Sequence, residues 1–289
     1  MKRETFIKIL SWLSFFTVSF GILSLVIFLI IRGISSLNLR LIFGTVPILE
    51  AVTGACPVWD GIWPAMAGTL LLLFVTMAIV IVPGISCGLW LSCFASERGR
   101  SVVGECVNVL AGIPSIVMGL FGLEVIILLR RTFLPNGKTC LLLSAFCLAV
   151  LVMPALVTAV RSAADSVPHG LKVTAYALGM SEAQTVRHII IPSAAPGILG
   201  GVILAMGRAM EDTAVIMLTG AVANAGLPTG LTGKFEALPF RIYYTSAQYT
   251  GAEELAQGFG TALLLLLMSE TLLITARILQ RRLLRKWRG

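Results

Sequence analysis

Arg208, Glu211 and Asp212 are the side chains with the most chemistry to offer, because they sit together near the middle of an apolar run from Pro192 to Gly220. If that run crosses a bilayer, an arginine at its centre costs about 2.5–3.5 kcal/mol on insertion scales and an acid costs about as much, so these groups face a bundle interior and need partners. The i,i+3 and i,i+4 spacings place Arg208 on one helix face with Glu211 and Asp212, which predicts local charge neutralisation. A buried ion pair that only fixes packing is one reading. The other is a cargo pathway: the guanidinium fork matches a carboxylate or phosphate bidentately, and the acids can accept the remaining proton of a protonated phosphate. Cargo on this reading is an oxyanion. Other groups offer less. His169 and His188 have no acid or nucleophile at catalytic spacing, so no catalytic residue is assigned. The six cysteines form no CxxC pair and neither histidine lies near them, so they read as small core residues, and no metal or cofactor is expected. Glu124 and Glu270 interrupt apolar runs, where each could line a path or bond a neighbouring helix.

The elements that must position these residues follow from composition. With 57% hydrophobic and 12% charged residues and a mean hydropathy of +0.94, the apolar surplus must face lipid. The long runs do not alternate as barrel strands do, so an all-α membrane protein with about six transmembrane helices is expected. The spans fall at about 12–31, 63–93, 105–129, 139–160, 193–220 and 257–277. The first follows Lys2, Arg3 and Lys8 as a signal peptide would, but its length and the lack of a cleavage site before Arg32 predict a retained span. The second contains Pro83-Gly84, predicting a kink or an interfacial start, and Pro114 in the third suggests a hinge or a static kink. Connecting stretches lie at 32–62, 94–104, 130–138, 161–192 and 221–256, the second and third of them tight. Counting Lys and Arg orients the chain: 14 of the 21 outside the spans fall on one side if both termini are cytoplasmic. The net charge of +8 therefore reflects topology and anionic lipid rather than nucleic acid.

The stretch 161–192 reads as two short helices joined at a glycine. Ser166 and Pro168 mark a start, Leu171, Ala175 and Leu178 share a face, and Gly179 stops the helix. Ser181 with Gln184 then forms a capping box, leading into Val186, Ile189 and Ile190 before Pro192. Such a cytoplasmic elbow is either an interfacial connector or a docking surface.

Val173-Thr174-Ala175, Gly179 and Ile189-Ile190-Ile191-Pro192 together resemble the EAA loop of ABC importer permeases, which reads EAA, three residues, Gly, nine residues, I-x-L-P. Val173, Thr174 and Ile191 replace that pattern's Glu, Ala and Leu. Gly207-Arg208-Ala209-Met210-Glu211-Asp212-Thr213-Ala214 is similar to the G-R-A-x-G-E-T-A segment of phosphate ABC transporter permeases. Arg208 matches that segment's arginine, Asp212 stands at its Glu position and Glu211 at its Gly position. Further resemblance to that family lies in Gly61 to Ala65 with Gly68-Thr69-Leu70 and in Leu110 to Gly122, while the modest N-terminal region and Ile242-Tyr243 look more like its PstA-type subunit than its PstC-type partner.

This resemblance implies a type I ABC importer permease fold, one permease domain over 1–289, and a coupling loop through Thr174, Ala175, Gly179, Ile189 and Pro192. It implies a multi-pass subunit of the cell inner membrane serving an ATP-driven phosphate importer. The partners implied are a homologous PstC-type permease, two copies of a cytoplasmic ATPase subunit and an extracytoplasmic phosphate-binding protein. Consistent with that, the chain has no G-x-x-x-x-G-K-[ST] string, so ATP hydrolysis is expected on another subunit. An ion-coupled secondary transporter or channel for an oxyanion is the alternative, and phosphonate, sulfate and arsenate remain open as cargo.

Overall fold

Apolar runs of 18 residues and more, uninterrupted by charge, fold into helices because only internal hydrogen bonding satisfies a backbone in lipid. A computed structural model of the chain describes residues 2–132, 135 and 137–288, the side chains of residues 2–4 and 286–288 apart. The order is α1 (Lys2–Gly33), α2 (Leu39–Phe43), α3 (Ile48–Thr53), α4 (Trp63–Cys93), α5 (Glu97–Ala111), α6 (Ser115–Thr132), α7 (Leu141–Asp165), α8 (His169–Ala177), α9 (Glu182–Thr185), α10 (Ile191–Glu211), α11 (Ala214–Thr219), α12 (Leu238–Gln248) and α13 (Ala252–Arg288). Among the described residues there is no sheet, only an isolated bridge from Ala221 to Phe235. Five helical stretches are long and apolar enough to cross a membrane, and a bent pair makes a sixth.

α7 is the centre of the bundle. Leu148, Val152, Leu156 and Val160 are fully buried along it, and it packs against α4, α5, α6, α10 and α11. Small residues permit the close approach, as membrane helix interfaces require. A Cβ on Gly88 of α4 would lie 2.7 Å from Val160 Cβ. On the other side Gly197 and Gly201 of α10, one turn apart, face Ala163 and Ala159 of α7, where added Cβ atoms would come within 2.5 and 2.7 Å. By contrast, among the described residues α1 leans chiefly on α13 and otherwise presents its apolar surface outward.

Three sequence expectations need correction. The third span at 105–129 is not one helix: α5 and α6 meet at 98°. Gly112 closes α5 by donating to the Asn108 carbonyl at 3.2 Å, and Pro114 both lacks a donor and disfavours helix at Ile113. The fifth span at 193–220 also breaks, at Asp212-Thr213, between α10 and α11. Finally, the elbow's second helix does not stop before Pro192. It runs as one apolar helix of 30 residues from Glu182 to Glu211, through a π-turn at Val186–Ile190 in which Ile191 N–H donates to the Val186 carbonyl. Pro192 supplies the reason, since it cannot donate to the carbonyl four residues back and its ring crowds that carbonyl, so the preceding turn widens. Pro83, where a kink or interfacial start was expected, lies inside the continuous α4.

The connections at 32–62 and 221–256 are folded rather than open. α2 and α3 occupy the first, and α12 the second, where Leu238 N–H donates to Thr69 Oγ1 at 2.9 Å. Of the link expected at 130–138, Phe133, Leu134 and Asn136 lie outside the described residues, as do the side chains of Lys2, Arg3, Lys286 and Arg288 used in the charge count.

Candidate functional site

The local chain builds two features that share one helix. In the elbow, α8 ends at Ala177 and Gly179 takes φ +78°, a left-handed conformation that glycine adopts freely and a β-branched residue resists. Ser181 Oγ accepts from Gln184 N–H at 3.3 Å while Gln184 Oε1 accepts from Ser181 N–H at 2.8 Å, closing the capping box read from sequence. Ala175 is buried, but Leu171, Val173, Tyr176 and Leu178 are exposed, so the expected shared face of Leu171, Ala175 and Leu178 divides between the interior and the surface. Thr174 is exposed and bonds back to the Gly170 carbonyl, while Ile189 and Pro192 lie on the π-turn and just beyond it.

At the far end of the same helix the charged cluster takes an arrangement that sequence spacing did not give. Among the described residues the ion pairs within 4 Å are Arg161–Asp165 and Arg241–Glu236, so Arg208 pairs with neither Glu211 nor Asp212. Glu211 shares α10 with Arg208, while Asp212 leaves the helix at the break. Asp212 is extended (φ −73°, ψ 125°), and its Oδ1 accepts from Val215 N–H at 2.8 Å, capping α11 with the Ser115 hydroxyl beside the same carboxylate. Arg208 and Glu211 are exposed and line a groove of about 610 Å³ between α10 and α13. Glu124 and Glu270 are exposed and outside this groove.

Two groove residues were missed. Arg277 and Gln280 enter it from α13, and Gln280 Nε2 donates to the Pro196 carbonyl at 2.8 Å, tying the two helices at one end. Their i,i+3 spacing, with Leu273 one turn earlier, is a readable signal, and Arg277 stands at the end of the span expected at 257–277. Two further polar clusters lie at the helix ends. Ser92 donates to Asp165, joining α4 to α7, and Arg100 donates to the Leu91 and Ser92 carbonyls at 3.1 and 3.0 Å. In the 221–256 connection Glu236 accepts from Gly226 N–H at 3.0 Å and pairs with Arg241; burial pushes its carboxyl above the usual range, against the pull of both partners.

A helix bundle with a paired-helix elbow and a broken charged helix is the geometry against which known proteins can be compared. The family described as "Binding-protein-dependent transport system inner membrane component" matches residues 84–289. The chain belongs to this family. As a binding-protein-dependent permease it is a multi-pass membrane subunit and not itself a catalytic one. It is 32% identical over 214 residues to the probable ABC transporter permease protein YqgI of Bacillus subtilis, covering 74% of this chain and 67% of that one. It is 30% identical over 223 residues to phosphate transport system permease protein PstA 1 of Mycobacterium tuberculosis, covering 76% and 70%. With the PstC permease of Mesorhizobium japonicum the identity is 30% over 199 residues, 62% of this chain but only 58% of the relative.

Solved structures carry the fold. A bacterial ABC transporter involved in the import of the acidic polysaccharide alginate superposes with a TM-score of 0.64 at 15% identity, covering 94% and 96% of the two chains. The MetNI methionine ABC transporter in an inward-facing form gives 0.57 at 20% identity, covering 78% and 97%. The permease therefore has the type I ABC importer fold.

Proposed function

We propose that this permease is a translocation subunit for inorganic phosphate, working with a homologous PstC-type permease, two copies of a cytoplasmic ATPase subunit and an extracytoplasmic phosphate-binding protein. The whole chain acts as one permease domain, with both termini and the elbow in the cytoplasm. The observation that carries this reading is the single helix from Glu182 to Glu211, which has the elbow at one end and Arg208 near the other. Motion imposed on the elbow reaches Arg208 along a rod about 45 Å long at 1.5 Å per residue. The exposed Leu171, Val173, Tyr176 and Leu178 offer the ATPase an apolar contact, in the manner of a helix seated in a groove. Phosphate is favoured as cargo by the planar guanidinium of Arg208 and by the phosphate transport names of several relatives. Glu211, unpaired on the same groove, can accept the proton of the monoanion.

The test is uptake of labelled inorganic phosphate by vesicles holding the reconstituted complex. Uptake that requires ATP and the binding protein is expected. Uptake driven by an ion gradient without ATP would replace this reading with a secondary transporter, and ATP-dependent uptake of sulfate in preference to phosphate would change the cargo.

A further inference from the structure

Arg208 and Arg277 come from different helices into one groove, with Glu211 the lone carboxylate lining it. Neither arginine has an ion pair within 4 Å among the described residues. Two guanidinium groups without an ion pair, brought to one groove by different helices, offer an anion charge-assisted hydrogen bonds from both walls.

Their heights differ. The Gln280–Pro196 hydrogen bond fixes the register of α13 against α10. Measured from that tie, Arg277 stands three residues along α13, about 4.5 Å, and Arg208 twelve residues along α10, about 18 Å. Arg277 is thus nearer the elbow. The wall between them is free of side chains at two points: a Cβ on Gly200 would meet nothing within 4 Å, and one on Gly207 only Leu273 at 3.8 Å. On the next position Gly201 is pressed against α7, so the opening belongs to one face of α10 and not to loose packing.

Resting on the reading of the chain as a phosphate permease, we propose that Arg277 is a second oxyanion ligand on the elbow side of Arg208, so that phosphate passes from one guanidinium to the next along the α10–α13 groove. Both ligands are exposed side chains on an open wall, which suits release better than a closed cage would. Gly200 and Gly207 leave room for the tetrahedral anion between them.

Three variants in the whole reconstituted complex test this: Arg277→Gln, Arg277→Lys and Gly200→Leu. Because the separate binding protein sets the apparent KM, loss of a ligand inside the membrane subunit should lower the maximal uptake rate and leave KM in place. Arg277→Gln is expected to cut that rate by about ten- to a hundredfold, the range of one lost charge-assisted hydrogen bond, while binding-protein-stimulated ATP hydrolysis persists. Arg277→Lys should recover part of the rate as a point charge. Gly200→Leu should assemble normally and block uptake by filling the groove. Normal uptake by Arg277→Gln and Gly200→Leu, in a complex that Arg208→Ala inactivates, overturns the second ligand and leaves the proposed function standing. Wild-type complex that fails to move phosphate with ATP overturns the proposed function itself. A loss in Arg277→Gln that appears in phosphatidylglycerol vesicles and vanishes in phosphatidylcholine vesicles assigns Arg277 to an anionic lipid headgroup and also overturns the proposal.

Discussion

Arg208 and Asp212 separate at the scale of single residues, although both were read as one charged cluster. Arg208 has its guanidinium in the groove and no carboxylate within ion-pair distance among the described residues. Arg208→Ala is expected to abolish phosphate uptake, and Arg208→Lys to impair it severely, because the ammonium keeps the charge and loses the planar fork. The triple variant neutralising Arg208, Glu211 and Asp212 should assemble and still fail; normal uptake by it would return the arginine to a packing role. Asp212 instead holds a helix end, through Val215 N–H at 2.8 Å. Asp212→Ala should therefore lower the stability of the assembled subunit by about 1 kcal/mol, the usual cost of a lost hydrogen bond to a helix's first turn, and Asp212→Asn should not. Thermal unfolding in detergent distinguishes them. If Asp212→Asn proves as unstable as the alanine variant, the charge matters and not the cap.

Between neighbouring elements the small residues decide what can touch. Gly201→Leu should disrupt the α7–α10 contact, because the site has Ala159 Cβ within 2.7 Å of an added Cβ, whereas Gly200→Leu one position away meets open space. Yield of folded subunit is the measurement, and equal yields would mean α10 is not seated as described. Gly179→Val is expected to leave the chain in the membrane and to uncouple hydrolysis from transport, since φ +78° is strained for a β-branched residue. Normal phosphate moved per ATP in that variant would remove the elbow's angle from the coupling. The elbow was legible in the sequence because its signals are local: Ser181 reaches Gln184, and Gly179 needs no distant contact to turn. α4 was legible for a different reason, its hydropathy standing above both flanks from Trp63 to Cys93. The break at Asp212-Thr213 was not, because averaged hydropathy is blind to a side chain that trades helix for a cap. Pro114 was visible, but the size of the bend, 98° between α5 and α6, is not written in a local pattern, and α6 packs against the distant α11.

Across the whole molecule, the proposed topology puts the amino terminus, the elbow and the carboxyl terminus on one side, as the excess of positive charge there favours. A cysteine reporter at Lys172 should be shielded from an impermeant reagent in intact cells, and labelling from outside would undo both the topology and the coupling. The groove lay beyond reach of the sequence because Arg208 and Arg277 are far apart in the chain and come to one groove only when α13 folds back along α10. What remains is the wide turn at Val186–Ile190. An ordinary helix advances about 100° per residue, so deleting one residue within α10 would swing Arg208 a quarter-turn away from its groove. A π-turn already absorbs one residue more than an α-turn between the same two ends. Deleting the exposed Arg187 should tighten that turn to an ordinary one and leave Arg208 in its groove. The rod is therefore tolerant of a change in length at this one turn, next to the elbow, and intolerant of it everywhere between there and its charge.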